Sequence, residues 1–540
     1  MSVELETSFE PLSGTYLKTC CRPAYRVKWL KNKGAILIVF WNYLVMSIYH
    51  LLSEGYKEKH LDNPFHVSTT SIILWCMVLL FPIGGWLADT RVGRYKMIHY
   101  SLWIMWIGIM LATFGELLLT SVSITHGTQI KTGVYLCLCI IMLIGLGGFL
   151  SNIIQFGIDQ LIDASATEIT SFITWYTMTV YASGITVHYI ADCIDTFYIK
   201  QLVVAFCLTL ALCLDFLFQH KLVKEQVAGK SLRVILMVIK YTIGYRKLGN
   251  NYSIATESAT SSRFNVAKHM YGGPFTSQQV DNVRKFLWML MVIATCTIVF
   301  GAMAPMDYAK AKLEHHLQVW QESYSYGIKG CYKSMTIRYN SSFFVMALVF
   351  LYEFVIHPLL YRCLPKMRIT SKFLFSTSCF FLWIKSLLAI EIVAYHQQTM
   401  TSNYTSFSRC VFTKKPDINI SYKWLFISHF TSGLSQFLLT SSAFEFIWAQ
   451  APSSMKGLIL GFGYSFVGLC TLLHTALASP FIFKKIAQHV SWEHAPLTCE
   501  IWYFLMEGVI VLVVLIVLSV LVKRYNKQKQ RDAYFDPLAS

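Results

Sequence analysis

The chain has 540 residues, of which 55% are hydrophobic and only 14% charged. That is more apolar material than a soluble core of this size needs, so the bilayer is the expected solvent and an ordinary soluble fold is excluded. The formal charge of +17 raises nucleic acid as a partner, but the basic residues lie in short stretches between apolar runs and form no single patch. They report membrane topology instead, and no nucleic-acid partner is expected.

A spanning helix needs roughly 20 mainly apolar residues, because lipid offers no partner to a free backbone N–H or C=O. Runs of that length predict an all-α membrane protein of about twelve transmembrane helices, at 34–53, 68–88, 97–121, 133–156, 171–190, 199–219, 286–306, 342–362, 370–396, 423–449, 456–479 and 501–522. The order of these runs divides the chain into a cytoplasmic N-terminal segment (1–33), a first six-helix bundle (34–219), a basic cytoplasmic linker (220–285), a second six-helix bundle (286–522) and a cytoplasmic tail (523–540).

The N-terminal segment begins acidic and polar, so no cleavable signal peptide is expected and the first helix is expected to direct insertion. Lys18, Arg22, Arg26, Lys28, Lys31 and Lys33 precede that helix, and Arg91, Arg94 and Lys96 fill the turn after the second, which places both in the cytoplasm. That turn belongs to the run Gly84-Gly85-Trp-Leu-Ala88-Asp89-Thr-Arg91-Val-Gly93-Arg94-Tyr-Lys96. Glycines let two helices approach, Asp89 can accept hydrogen bonds from a neighbouring helix terminus, and the basic residues hold the turn at the membrane face. The fourth helix carries Gly145-Leu-Gly147-Gly148 and runs into Asn152-Ile-Ile-Gln-Phe156-Gly157-Ile-Asp159-Gln160. Before the seventh helix stand Tyr271-Gly272-Gly273-Pro274-Phe275-Thr276 and Gln279-Val280-Asp281-Asn282-Val283-Arg284.

In the second half Glu353, Lys385 and Glu445 all lie within apolar runs. Such residues are expensive in lipid and face a bundle interior or a wet cavity. Lys385 either neutralises Glu445 or Glu353 or snorkels to the interface. The tenth helix ends Phe444-Glu445-Phe446-Ile-Trp448-Ala-Gln450-Ala451-Pro452-Ser-Ser-Met455-Lys456. Glycosylation sequons at Asn340, Asn403 and Asn419 all fall in loops that this topology places outside or in a lumen. Cys331 and Cys410 sit in the two largest outer loops, where a disulfide is one option.

In form and order, these four stretches resemble the proton-coupled oligopeptide transporters of the major facilitator superfamily. The resemblance spans most of the chain. It implies two bundles that rock about a site near the midplane, and a conformational gate at Gly85, Asp89, Arg91, Gly93, Arg94 and Lys96. It also implies that Glu445 holds a substrate's amino group; Glu353, which precedes His357-Pro358, is read from its position as a packing or gate residue. Tyr43, Tyr176, Tyr181 and Trp448 are candidates to line the substrate cavity, although interface belts and bundle packing explain aromatic residues equally well.

The sequence also departs from the family. The first helix, Gly34 to Ser53, contains neither Glu nor Arg, so the family's ExxER motif is absent. Leu150 stands where the family's fourth helix has a lysine, and Val180 where its fifth has an asparagine. Expected, then, is a secondary transporter of small peptides or related organic amines, in which protons are a partner only in doubt. The competing readings are a facilitator of another small solute and a non-transporting ligand-sensing receptor or scaffold. The scattered histidines have no metal-ligand spacing, no enzyme motif is present and no cofactor is expected. The lipid bilayer is the obligatory surrounding, in the plasma membrane or an endolysosomal membrane.

Overall fold

The structure, a computed structural model, describes residues 28–60, 78–121, 127–162, 164–193, 197–224, 231–248, 264–269, 272–322, 340–356, 358–359, 376–388, 422–482 and 498–535. Asn403, Asn419, Cys331 and Cys410 lie outside the described residues. The first bundle contains α1 (Lys33–His60), α2 (78–87, ending in the π-helical turn Ala88–Val92), α3 (Arg94–Ser121), α4 (Gly127–Asp159), α5 (Ala166–Cys193) and α6 (Phe197–Phe218). A linker helix, α7 (Ser231–Leu248), follows. The second bundle contains α8 (Ser277–Glu322), α9 (Asn340–Leu351, ending in the π-helical turn Tyr352–Ile356), α10 (Ser376–Leu388), α11 (Tyr422–Gln450), α12 (Lys456–Ile482) and α13 (Thr498–Phe535).

Among the described residues six helices are long and apolar enough to cross a membrane, and two shorter apolar helices lie at Ser341–Ile356 and Ser376–Leu388. The more polar α5 shows how a helix carries hydroxyls at membrane depth. Thr174, Thr177 and Thr179 donate to the carbonyls of Thr170, Ile173 and Tyr176 at 2.9, 2.9 and 2.7 Å, which leaves few free polar groups to the interior. Its first turn is closed by a capping box, with Ser165 N–H donating to Glu168 at 2.9 Å and Glu168 N–H to Ser165 Oγ at 3.4 Å.

Small residues set the packing. A side chain on Gly145 of α4 would fall 2.5 Å from Met105 of α3, and one on Gly157 would fall 2.4 Å from Phe172 of α5. Such positions let backbones approach in a solvent that gives no hydrophobic drive between helices. At the end that bears the basic turns, Gln160 ties the first bundle together: its amide donates to Val223 O at 3.0 Å and accepts Val223 N–H at 2.8 Å.

The polar linker holds more order than its composition suggests. Gly272, at φ +82°, turns the chain so that Phe275 N–H donates to Ala267 O at 3.2 Å and the Phe275 ring packs 6.1 Å from Tyr241 of α7. Lys268 then donates to Asp281 at 3.1 Å and Arg284 lies 3.2 Å from the same carboxylate, clamping this turn to the start of α8.

Candidate functional site: a cavity between the bundles and its closed basic end

A cavity of about 330 Å³ lies between the bundles, within the range of small-ligand pockets. Met46, Leu150, Tyr176, Val180 and Tyr181 form its wall on the first bundle. The second bundle contributes α8 through Trp288 and Thr297, α11 through Thr440, Phe444, Phe446 and Gln450, and α12 through Tyr464.

The aromatic candidates divide. Tyr176 and Tyr181 are on the wall, and Tyr181 shares a 3.2 Å hydrogen bond with Thr440 across the bundle interface. Tyr43 and Trp448 are not among the lining residues. The Tyr43 hydroxyl donates to Thr186 at 2.8 Å inside the first bundle, beside a bond of 2.7 Å from Asn42 to Thr179. Trp448 packs against the apolar core.

Between the cavity and the basic end the bundles are joined on three lines. The first is α2 against α12. A side chain on Gly85 would fall 2.1 Å from Gly457 O, one on Gly461 would fall 2.5 Å from Phe81 O, and Ser465 donates to Val78 O at 2.6 Å. Gly457, Gly461 and Ser465 are four residues apart, one stripe of small residues on α12 that admits α2 at backbone distance. That stripe was readable from the sequence as a small-x-x-x-small pattern.

Asp89 closes this line. Its carboxylate accepts the Leu458 N–H at 2.9 Å, in the first turn of α12, where free N–H groups and the helix dipole favour an anion. Arg94 Nη1 donates to Asp159 at 2.6 Å and Nη2 lies 3.5 Å from Asp89, so one guanidinium holds two buried carboxylates. Burial lifts the Asp89 carboxyl from its ordinary value to about 6, against the pull of Arg94 and of the Leu458 and Gly457 N–H groups. Gly93 turns the chain at φ +89°. Thus Gly85, Asp89, Gly93 and Arg94 meet at the closure, while Arg91 and Lys96 are exposed beside it.

The second line joins α5 to α9. Trp29 Nε1 donates to Ser171 at 3.1 Å, and Ser171 Oγ in turn donates to the Glu353 carboxylate. The Trp175 ring meets Phe350 edge-on at 5.7 Å. The third line joins α5 to α11. Thr170 Oγ1 donates to Glu445 at 3.3 Å, and Tyr176 packs edge-on against Phe444 at 5.6 Å. Glu445 therefore lies beside the cavity, between two of its lining residues, with its carboxylate turned to α5. Lys385 is buried and donates to Ser432 of α11 at 3.1 Å.

Sequence reasoning missed the partners Thr170, Ser171 and Asn152, because hydroxyls and a helix amide give no long-range signal. Asn152 Nδ2 donates to Gly148 O at 2.8 Å, and its Oδ1 would lie 2.7 Å from a side chain on Gly457. It missed also His474 and Glu507, buried partners at 2.7 Å between α12 and α13. Among the described residues no cluster could hold a metal ion.

No family model matches the chain. A mouse (Mus musculus) protein, solute carrier family 15 member 3, is 22% identical over 522 residues, which cover 86% of this chain and 85% of the relative. The rat (Rattus norvegicus) protein of the same name is 21% identical over 531 residues, 87% of this chain and 86% of its own. Among solved structures, the POT family transporter PepTSo matches with a TM-score of 0.58 at 14% identity, covering 94% of this chain and 99% of that one. A bacterial homologue of the iron transporter ferroportin, in an outward-facing state, matches with a TM-score of 0.55 at 12% identity, covering 91% and 100%. The fold is that of the major facilitator transporters.

Proposed function

We infer that the chain is a divergent member of the proton-coupled oligopeptide transporter family, a secondary transporter that carries small peptides or related organic amines across a membrane by alternating access. The observation that carries this reading is the cavity between two bundles whose only described barrier toward the basic end is a set of contacts made from one bundle to the other. Contacts of that kind break when the bundles rock, and opening there exposes the cavity to the opposite side.

In this reading the basic end faces the cytoplasm and the structure is the cytoplasm-closed state. Gly85, Gly457 and Asp89 are the gate proper, and Arg94 holds Asp89 in place. Glu353 and Glu445 act as latches from the second bundle onto α5. Opening frees the Glu445 carboxylate from Thr170, and a ligand ammonium then takes the place of that hydroxyl. Tyr176 and Tyr181 shape the wall, and Lys385 anchors α10 to α11. The chain does no covalent chemistry, and it works in the plasma membrane or an endolysosomal membrane.

The test is exchange. Proteoliposomes holding the full chain are loaded with an unlabelled small peptide and given the same peptide labelled outside. Uptake stimulated several-fold by internal peptide supports a carrier. Binding of peptide with no flux in either direction points to the receptor alternative, and neither binding nor flux sinks the transport of peptides.

A further inference from the structure

Among the described residues that line the cavity none carries a charge. Its polar groups are neutral, and most are already engaged: Ser442 donates to Leu439 O at 3.0 Å, Thr297 to Ala294 O at 2.9 Å, and Tyr181 shares its bond with Thr440. Tyr176 is fully buried in the wall, with its hydroxyl beside that of Tyr464, another lining residue. Leu150, on the first-bundle side, presents an aliphatic surface where the cavity meets α4. Buried cations do occur nearby in the fold, but they belong elsewhere. Lys385 donates to Ser432 within the second bundle, and Arg94 bridges two carboxylates at the basic end.

An ionised carboxylate entering this space loses its water and meets no cation, a loss that neutral donors do not make good. A peptide amide loses far less, and its carbonyl suits a phenol donor such as Tyr176 or the side-chain amide of Gln450. The ammonium at the other end is not excluded in the same way, because Glu445 stands directly behind the wall between Phe444 and Phe446. Rejection of an unpaired charge is a stronger discriminator than the gain from any single contact in an apolar pocket.

We propose that the ligand of this cavity is a small apolar peptide whose carboxyl end is neutral, as an amide or ester, and that the free carboxylate is selected against. This rests on the transporter reading above and narrows its substrate class.

The experiment compares leucyl-phenylalanine with leucyl-phenylalanine amide, which differ only at the carboxyl end, by equilibrium binding at pH 7 to the full chain in lipid nanodiscs. The amide is expected to bind at least tenfold more tightly, about 1.4 kcal/mol. Leu150→Lys places an ammonium on the same wall and is expected to improve binding of the free acid at least tenfold while weakening the amide. Should that variant fail to fold, the wild-type ratio decides alone. Equal affinities, or tighter binding of the free acid, overturn the carboxylate selection while leaving a peptide carrier intact. Binding of neither compound overturns both.

Discussion

The two bundles treat buried polarity in opposite ways. In the first, Asn42 with Thr179 and Tyr43 with Thr186 are neutral pairs bonded within the bundle at mid-helix. Among the described residues its buried charges stand toward the helix ends: Asp89, Arg94 and Asp159 at the basic end, Lys200 in the first turn of α6, and Asp215 near the end of α6, where it accepts from Tyr95 at 3.1 Å and meets His99. The second bundle keeps charges inside its helices, in Glu353, Lys385, Glu445 and the pair His474 and Glu507. A buried ionisable group in lipid is retained at a cost of several kcal/mol, so the second bundle is where state-dependent electrostatics can act. The first bundle then serves as a comparatively inert surface against which the second is latched.

The comparison is broken most directly at His474 and Glu507. His474→Ala leaves a fully buried carboxylate without its partner and should cost about 3–5 kcal/mol of stability in thermal or chemical denaturation. Replacing both residues with leucine should restore most of that loss. Tyr43→Phe in the first bundle removes one neutral hydrogen bond and should cost about 1 kcal/mol. Equal losses for the two single changes would erase the distinction between the bundles.

Next in size is the gate. Gly457→Leu forces a side chain into the Asn152 amide and the Asp89 carboxylate, an overpacking worth about 1–3 kcal/mol against the closed state. Labelling of a cysteine placed at Thr170 by an impermeant reagent, applied from the basic face in inside-out vesicles, should rise about tenfold. Unchanged labelling would mean that α2 and α12 do not form the gate.

Thr170→Val tests a single latch. It removes the bond to Glu445 and should weaken the closed state by about 1 kcal/mol, seen as severalfold faster exchange or a lower barrier to labelling at Ser171→Cys. No change in either would remove Glu445 from the latching set.

Titration of Asp89 is the remaining test. A carboxyl whose pKa rises on folding holds its proton more tightly in the folded chain. Its contribution to stability is therefore whole below pH 3.8 and is lost as pH climbs through about 6. The midpoint of thermal unfolding should fall between pH 4 and pH 7 more steeply in the wild type than in Asp89→Asn, and parallel curves would contradict the assignment.

Much of this was legible in residues. The glycine and Asp89 pattern after the second helix announces a close helix approach and a carboxylate aimed at a helix terminus, and both are found, with Leu458 as the donor. The Phe156-Gly157-Ile-Asp159-Gln160 turn announces a polar corner at the end of a helix without saying that Asp159 belongs to Arg94 and Gln160 to Val223. What the sequence withholds is pairing across long separations. Glu445 and Thr170 are 275 residues apart, and nothing about a threonine in an apolar helix marks it as a carboxylate's partner. Intramembrane charge reads clearly as something that needs a partner, while the identity of that partner depends on how two bundles dock. The linker misleads in the other direction, because its polar composition hides α7 and the Gly272 turn.

A wild-type proteoliposome experiment separates an inert first bundle from a coupled one. Uptake of a labelled exchangeable peptide is followed with and without an inward proton gradient, at matched internal pH. With neither Glu nor Arg in the membrane part of α1 and Leu150 on the cavity wall, the peptide should equilibrate, and the gradient should change its final level by less than about twofold, under 0.5 kcal/mol. Accumulation tenfold or more above equilibrium, abolished when the gradient is collapsed, would contradict this and would show that a proton is carried with the ligand.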